Sequence, residues 1–193
     1  MRPTALPRFA AWRHRDAREG FEVAFLRREG DGLRVDGQTT AVEDGVAWAV
    51  QYAIAVDARW HTRSALVRGR SVHGSREVAL EADGNGGWRV DDTPAPDLDG
   101  CLDVDLESSA LTNALPVHRL GLGVGDAADA PAAYVRAPDP GVERLEQRYV
   151  RVEDDGRRKR YDYAAPRFAF TGVLVYDETG LVVDYPGIAA RAA

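Results

Sequence analysis

The stretch from residue 48 to residue 62 is WAVQYAIAVDARWHT, and its large apolar residues recur at every second position. The bulky residues that share one parity are Trp48, Val50, Tyr52, Ile54, Val56 and Trp60. Small residues occupy much of the other parity, at Ala47, Ala49, Ala53 and Ala55. Because successive side chains of a strand point to opposite faces, the pattern predicts a β-strand with one bulky and one nearly bare surface.

The alternation continues to about Val67, which would make one strand of about twenty residues, whereas strands usually have about five or six. We therefore expect the strand to bend or break near residues 57–59. Long strands that bend are typical of sheets that wrap around a core.

The rest of the chain also favours strands. Phe21, Val23 and Phe25 share one face of an earlier strand, and Asp/Gly pairs that favour tight turns recur along the sequence. The helical signal is weak, because Gly125 and Pro131 limit the Ala-rich segment 124–133 to one or two turns. The sequence predicts an all-β domain of about ten or more strands, a size at which sheets curl, close or pack on themselves.

The Asp155-Gly156 pair indicates a hairpin with a definite register. A two-residue turn there would place Glu153 opposite Arg158 and Val150 opposite Tyr161, which gives an ion pair and an apolar pair.

Composition limits the class of protein. The 193 residues (21.1 kDa) fit a single domain spanning residues 1–193, and the apolar fraction of 45% with 29% charged residues is ordinary for a globular protein. The net charge of −6 disfavours nucleic acid as a partner. The single cysteine, Cys101, excludes an internal disulfide and fits a reducing compartment.

No apolar run is long enough to cross a bilayer, so we expect no stable membrane insertion. The basic N-terminal residues lack the apolar core of a signal peptide before Arg13. These features predict a cytoplasmic protein, and they leave the oligomeric state open.

Polar side chains at regular positions among apolar residues are most frequent in the segment from Leu98 to Leu120, which reads LDGCLDVDLESSALTNALPVHRL. Asp103 and Asp105 lie two apart on a predicted strand, so both carboxylates face the same side. Together with Asp97 and Asp99 they could bind a hard cation or form a catalytic carboxylate pair. EF-hand spacing is missing, and the favoured interpretation is solvated or arginine-paired carboxylates, with no metal site.

Other candidate catalytic groups lack a supporting pattern. The four histidines, at positions 14, 61, 73 and 118, make no short metal-ligand spacing and are expected at the surface or at strand edges. Cys101 is expected to be a buried thiol, and Ser108 and Ser109 lack a nucleophile elbow. The Gly-x-Gly-x-Gly string at 121–125 lacks the strand and long helix of a dinucleotide site. We assign no catalytic residue and no cofactor.

The bare alanine face has two interpretations that the sequence leaves open. Alanines on a curved sheet allow either close approach of a second layer or a hollow for a ligand chain. Arg59 and Arg63 continue the same parity, so an apolar surface formed by the alanines would end at two cationic side chains. This arrangement suits an amphiphile, which has an apolar tail and a polar head.

Several motifs coincide with one family. They are Trp12 with Gly20-x-Glu22, Tyr52, Trp60-x-Thr62-Arg63, Gly87-Trp88-Arg89, the block LDGCLDVDL at 98–106, Thr112-Asn113-x-Leu115-Pro116, Arg119-Leu120 and Asp184-Tyr185-Pro186-Gly187. Over nearly the whole chain the sequence resembles the bacterial family named putative glycolipid-binding, a domain of unknown function. The resemblance implies a single strongly curved antiparallel sheet that forms a half-open barrel or β-roll with few short helices, similar to lipoprotein carriers. His118 stands where the family pattern has a basic residue.

From the alternation and the resemblance we predict non-catalytic binding of a glycolipid or other amphiphile in the concavity of the sheet. The tail would lie against Val50, Tyr52 and Ile54 or against the alanine face, and which face is concave stays open. The predicted ligand-binding residues are Glu22, Tyr52, Trp60, Arg63, Asp103, Asp105, Asn113 and Arg119.

Two alternatives belong to other classes of protein. One is a hydrolase or isomerase that acts on a sugar or lipid through Asp103, Asp105 or Glu22, which would require carboxylates with shifted pKa values. The other is an oligomeric module in which the alanine face is a subunit interface.

Overall fold

The computed structural model describes residues 5–16 and 18–193, and over these residues the chain forms seventeen strands, one α-helix and three 3-10 helices. The strands are β1 (Phe9–His14), β2 (Glu19–Glu29), β3 (Gly32–Glu43), β4 (Val46–Val56), β5 (Thr62–Ser71), β6 (Gly74–Ala82), β7 (Trp88–Val90), β8 (Thr93–Pro94), β9 (Asp103–Leu106), β10 (Ala127–Asp129), β11 (Ala132–Val135), β12 (Val142–Leu145), β13 (Arg148–Asp155), β14 (Arg158–Ala165), β15 (Phe170–Tyr176), β16 (Val182–Tyr185) and β17 (Ala189–Arg191). The α-helix is α1 (Ala114–Leu120), and the 3-10 helices are Pro96–Leu98, Leu111–Asn113 and Pro166–Phe168.

Fourteen strands form one highly curved antiparallel sheet that is not closed into a barrel, in the order β10-β13-β14-β15-β16-β17-β1-β2-β3-β4-β5-β6-β7-β8. The prediction of an all-β, strongly curved antiparallel sheet with few helices is confirmed. A second, three-stranded sheet, β12-β11-β9, was not predicted, and its β9 and β11 run parallel.

The bulky face of β4 lies inside the curve. Val50, Tyr52 and Ile54 are at most 4% exposed, whereas Ala47 is exposed and the other alanines of the bare face are partly exposed. Because a curved sheet encloses its buried face, the bulky side chains line the concave surface. The alanine face is convex.

At the predicted break after β4 the chain reverses its direction, and β5 pairs with β4 as an antiparallel strand. Asp57 forms the turn, because its Oδ1 accepts hydrogen bonds from the backbone N–H of Arg59 and His61, at 2.9 and 3.0 Å. Trp60 takes a positive φ of 65° at this turn. The alternation therefore continues on the next strand of the sheet.

Segment 98–120 fills the concavity. Its buried residues Leu98, Val104, Leu106 and Leu115 join the inner face of β1–β7 in one hydrophobic cluster. The Thr-Asn-Ala-Leu-Pro motif at 112–116 contributes to a 3-10 turn and to α1, which ends at Gly121 in the left-handed conformation. The expectation of helix within 124–133 was wrong, because strands β10 and β11 occupy that segment.

The Asp155-Gly156 hairpin forms, but the predicted register was wrong. Asp155 pairs with Arg158, so the two turn residues are Gly156 and Arg157, one residue later than predicted. With the β-bulge between Val152 and Asp155, this turn places Arg151 opposite Tyr161. Arg151 is 5% exposed and its guanidinium lies 5.1 Å from the centre of the Tyr161 ring. The observed register thereby gives Arg151 a cation–π contact with the residue opposite it.

A second hydrophobic cluster lies on the inner face of β13–β16 and consists mainly of tyrosines. Tyr149, Tyr161 and Tyr176 are buried, and neighbouring rings meet edge to face with centres 5.3–6.4 Å apart. The two clusters belong to the two halves of the large sheet, which join where β1 pairs with β17.

None of the helices in residues 5–16 and 18–193 is long and apolar enough to span a bilayer. The N-terminal stretch on which the expectation about a leader rests includes residues 1–4, which lie outside the described residues.

Candidate functional site

A cavity of about 190 Å³ lies where the small sheet and the loop after β9 meet the tyrosine half of the large sheet. We call it the Asp105 cavity. Its lining residues are Arg18, Asp105, Leu106, Glu107, Ser109, Asn113, Tyr134, Leu145, Tyr163, Ala165, Phe168, Phe170, Tyr185 and Ile188. The lining combines polar residues of β9 and the following loop with aromatic residues of the two sheets.

Asp105 is a buried carboxyl group held by neutral donors. Its Oδ1 accepts a hydrogen bond from Thr112 Oγ1 at 2.8 Å, and its Oδ2 accepts one from Gln147 Nε2 at 2.5 Å. Burial raises the pKa of Asp105 to about 6, although both hydrogen bonds oppose the shift. This carboxyl group therefore titrates close to neutral pH.

Asn113 is oriented by two tyrosines of the large sheet. Tyr149 donates a hydrogen bond to its Oδ1 at 3.0 Å, and Tyr176 donates one to its backbone carbonyl at 3.2 Å. With its oxygen engaged in this way, the amide NH₂ of Asn113 is the group left to donate. Asn113 and Ser109 thus supply hydrogen-bonding groups beside Asp105.

Aromatic rings form the walls of the cavity. The ring centres of Tyr163 and Tyr185 are 6.0 Å apart, those of Phe170 and Tyr185 are 5.6 Å apart, and those of Tyr134 and Phe168 are 5.4 Å apart. Burial raises the pKa values of Tyr134, Tyr163 and Tyr185, so their phenols stay protonated and can donate hydrogen bonds. Phe168 is 49% exposed, which places it at the rim.

Glu22 lies next to this region, fully buried on β2. Its Oε1 accepts hydrogen bonds from Tyr52 Oη at 2.6 Å and Ser109 Oγ at 2.5 Å, and its Oε2 accepts one from the Ala110 N–H at 2.8 Å. Burial raises the pKa of Glu22 against these hydrogen bonds. The carboxyl group ties two strands to the segment that fills the concavity, and only Ser109 of this group lines the cavity.

Asp103 and Arg119 pair with each other. The Arg119 side chain donates to the carboxylate from Nη2 at 2.6 Å and from Nε at 3.1 Å, and both side chains are largely buried. Burial raises the pKa of Asp103, and Arg119 opposes this shift. The pair joins β9 to α1.

Trp60 and Arg63 lie at the turn between β4 and β5, outside the cavity. The Trp60 ring stacks on His118, with ring centres 3.8 Å apart and planes inclined by 5°. Arg63 is half exposed, and its Nη1 lies 3.8 Å from Asp57. The structure therefore distributes the eight predicted residues over four places, and only Asp105 and Asn113 line the cavity.

Two sequence-based expectations are corrected here. Val50, Tyr52 and Ile54 pack against segment 98–115, so protein side chains occupy the place assigned to a lipid tail. His14 is 6% exposed, and His118 is partly buried in its stack with Trp60, so neither is the surface residue that we expected. Burial lowers the pKa of each to about 4, and Arg18 adds to the effect at His14. Cys101 is buried as predicted.

Several residues of the cavity were missed from the sequence. Tyr185 was noticed only as part of the family motif Asp184-Tyr185-Pro186-Gly187, and Tyr163 was not singled out as a site residue. Arg18 lies on a loop, and no pattern distinguished it from the other arginines. Phe168 and Phe170 flank Ala169, which has a positive φ of 49° that the sequence does not indicate.

Within the described residues, no group of three or more His, Cys, Asp or Glu side chains is placed to hold a metal ion. The chemical groups that the cavity offers to a ligand are thus one guanidinium, two carboxyl groups, an amide, hydroxyls and aromatic faces.

Comparison with known proteins agrees with this architecture. The model of the family described as "Putative glycolipid-binding" matches residues 9–191. A crystal structure of a DUF1089 family protein from Pseudomonas aeruginosa has 36% identity and a TM-score of 0.75, and the alignment covers 89% of this chain and 91% of that one. A β-barrel-like DUF1849 protein from Brucella abortus shares the fold at 11% identity, with a TM-score of 0.51 over 95% of this chain and 92% of that one.

None of the curated proteins compared with the sequence matches it. The family match spans nearly the whole described chain, and the 36% identical structure covers the same fold. The chain belongs to the putative glycolipid-binding family.

Proposed function

We propose that this protein binds the sugar head of a glycolipid in the Asp105 cavity. The observation that carries the proposal is the combination of a polar floor, formed by Asp105, Asn113 and Ser109, with aromatic walls. The description of the family supports the same class of ligand.

The chemistry of a sugar fits this arrangement. Hydroxyl groups need hydrogen-bond donors and acceptors at fixed positions, and Asp105 and Asn113 are held by their own hydrogen bonds. The C–H faces of a sugar ring are apolar and pack against aromatic rings such as Tyr185 and Phe170. A wholly apolar ligand would cover the NH₂ group of Asn113 without supplying an acceptor, which is costly.

The size of the cavity limits how much of an amphiphile it encloses. Its volume of about 190 Å³ is below the roughly 300–1,000 Å³ of typical ligand pockets. We therefore assign the head group to the cavity and the tail to the apolar rim near Phe168 and Ile188.

Two isoleucines make a direct test possible, because the chain has only Ile54 and Ile188. Ile188 lines the cavity, whereas Ile54 is fully buried in the other half of the sheet. The protein, labelled at isoleucine methyl groups, is titrated with octyl glucoside below its micelle concentration. Binding in the cavity shifts the Ile188 signal and leaves the Ile54 signal in place.

A matched pair of phenylalanines provides the control. Phe168→Ala removes an exposed ring of the cavity rim, and Phe25→Ala removes a somewhat more exposed ring on β2, outside the cavity. Loss of an aromatic contact of about 1 kcal/mol should weaken binding roughly fivefold for Phe168→Ala, with no change for Phe25→Ala. Equal shifts of both isoleucines, or equal effects of both variants, would contradict the proposal.

One observation favours a second candidate function, a glycosidase. Asp105 is a buried carboxyl group with a pKa of about 6, and Glu107 supplies a second carboxyl group in the same cavity. Glu22 and Asp103, by contrast, are held in structural contacts. An enzyme would hydrolyse some member of a panel of nitrophenyl glycosides, and Asp105→Asn would abolish that hydrolysis. Binding without turnover across the panel would exclude this candidate.

A further inference from the structure

Arg18 is the one cationic side chain among the described residues that line the Asp105 cavity. It is 8% exposed, and its Nε and Nη1 atoms are buried without a hydrogen-bond partner among residues 5–16 and 18–193. Buried charged donors that lack partners are unfavourable, so they are rare in folded proteins. An unpaired guanidinium beside a cavity indicates that a ligand supplies the missing acceptor.

The Arg18 guanidinium lies over the ring of Trp48. The guanidinium carbon lies 5.2 Å from the centre of the Trp48 ring, and the Arg18 N–H donates to the Arg15 carbonyl at 3.0 Å. A stack of this kind orients the side chain and uses none of its N–H donors. The Nε and Nη1 donors, which match a carboxylate or phosphate, therefore have no acceptor among the described residues.

The two carboxyl groups of the cavity do not neutralise Arg18. No carboxylate oxygen of the described residues lies within ion-pair distance of it. Asp105 already accepts hydrogen bonds from Thr112 and Gln147, and Glu107 accepts one from the Ala137 N–H at 2.8 Å. Both carboxyl groups are thus hydrogen-bonded to donors other than Arg18, whereas Nε and Nη1 of Arg18 have no acceptor among the described residues.

We infer that the head group bound in the Asp105 cavity is acidic and that Arg18 binds its oxyanion. This inference rests on the proposed function and narrows it from glycolipids in general to those with a phosphate or carboxylate group. The bidentate guanidinium fork suits both anions, so the experiment includes each of them.

Three octyl glycosides differ only at C6 of the sugar and serve as probes. Octyl glucoside is neutral, octyl glucuronide carries a carboxylate, and octyl glucoside 6-phosphate carries a phosphate. Inorganic phosphate is the fourth probe, because it separates an anion site from a glycolipid site. Affinity is measured by the Ile188 methyl shift and by calorimetry at fixed ionic strength.

The wild-type protein should bind at least one acidic glycoside about tenfold more tightly than octyl glucoside, as expected for a charge-assisted contact. Arg18→Gln should remove this preference, so that the acidic glycosides bind no more tightly than octyl glucoside does, and Arg18→Lys should retain part of it. Arg15→Gln is the matched control, because Arg15 lies on the same loop, pairs with Asp184 and does not line the cavity. It should keep the full preference.

The outcomes separate the two proposals. Binding of all three glycosides with equal affinity, or a preference that Arg18→Gln leaves intact in a folded protein, would overturn the role of Arg18 while the glycolipid proposal stands. Phosphate binding that depends on Arg18, without binding of any glycoside, would support the anion site and overturn the glycolipid proposal. Binding of none of the four probes would overturn both. Thermal unfolding curves of each variant establish that it is folded.

Discussion

His14 shows what single buried side chains contribute to this fold. It ends β1 with its imidazole 6% exposed and neither ring nitrogen paired among residues 5–16 and 18–193. Glu22, on the next strand, is more deeply buried but has three side-chain and backbone donors. Burial lowers the pKa of His14 and raises that of Glu22, so acid opposes the buried state of His14 and not that of Glu22.

We predict that His14 destabilises the folded protein as the pH drops from about 6.5 to 4, whereas the raised pKa of Asp105 acts in the opposite direction. Burial holds its folded-state pKa at about 4, whereas the unfolded value is 6.5. Between these values the unfolded chain binds more protons, so acidification favours unfolding, by up to about 3 kcal/mol for this residue. His14→Leu should reduce the slope of unfolding free energy against pH, as measured by urea denaturation.

His118 provides the comparison for this experiment, because burial also lowers its pKa to about 4. The double variant His14→Leu, His118→Leu should have a smaller slope than either single variant. Identical slopes for wild type and His14→Leu would show that His14 does not keep its neutral form in the folded protein.

At the scale of the elements, β3 and β4 pack closely because a glycine on β3 lies opposite an aromatic residue on β4. Gly37 pairs with Tyr52, and a Cβ at Gly37 would lie 2.1 Å from Cζ of the Tyr52 ring. The same ring carries the hydroxyl that donates to Glu22 at 2.6 Å. The absence of a side chain at Gly37 therefore permits the contact between β4, β2 and the loop after β9.

Gly37→Ala should lower the free energy of unfolding by about 2–4 kcal/mol, because the ring must move and its hydrogen bond is lost. Gln38→Ala, at the exposed neighbouring position, should change it by less than about 0.5 kcal/mol. Tyr52→Phe should cost less in the Gly37→Ala background than in the wild type. Additive effects in this double-mutant cycle would mean that the ring keeps its hydrogen bond in the variant.

At the scale of the whole molecule, the two halves of the large sheet depend on contacts between distant parts of the chain. Trp12 on β1 pairs with Arg191 on β17, and its indole N–H donates to the Val182 carbonyl at 2.8 Å. Segment 98–120 contacts both clusters, since Leu115 belongs to the first and Val117 to the second. These links predict that the two halves unfold together.

The distribution of aromatic residues allows this prediction to be measured without labels. All four tryptophans lie at positions 12–88, whereas the tyrosine cluster lies at positions 149–176. Tryptophan fluorescence and near-ultraviolet circular dichroism of tyrosine should give coincident urea transitions, as a single cooperative domain requires. Separate midpoints would instead divide residues 1–193 into two units.

The sequence by itself determined the strands and the class of fold. Alternation along residues 48–56 depends only on the geometry of a strand, and the stop at Asp57 follows from local turn chemistry. The motifs around Leu98 and Asn113 also identified the family. Each of these signals is contained in neighbouring residues, so no tertiary contact was needed to detect it.

Only the tertiary structure decided which face is concave, what fills it and where a ligand could bind. Alternation separates two faces but does not assign the interior, and here segment 98–120 occupies the space that the sequence left for a lipid tail. The Asp105 cavity joins Arg18, Asp105 and Tyr185, which are far apart in the chain. Their proximity depends on the pairing of β1 with β17 and on the curvature of the sheet, which are long-range packing effects with no local sequence pattern.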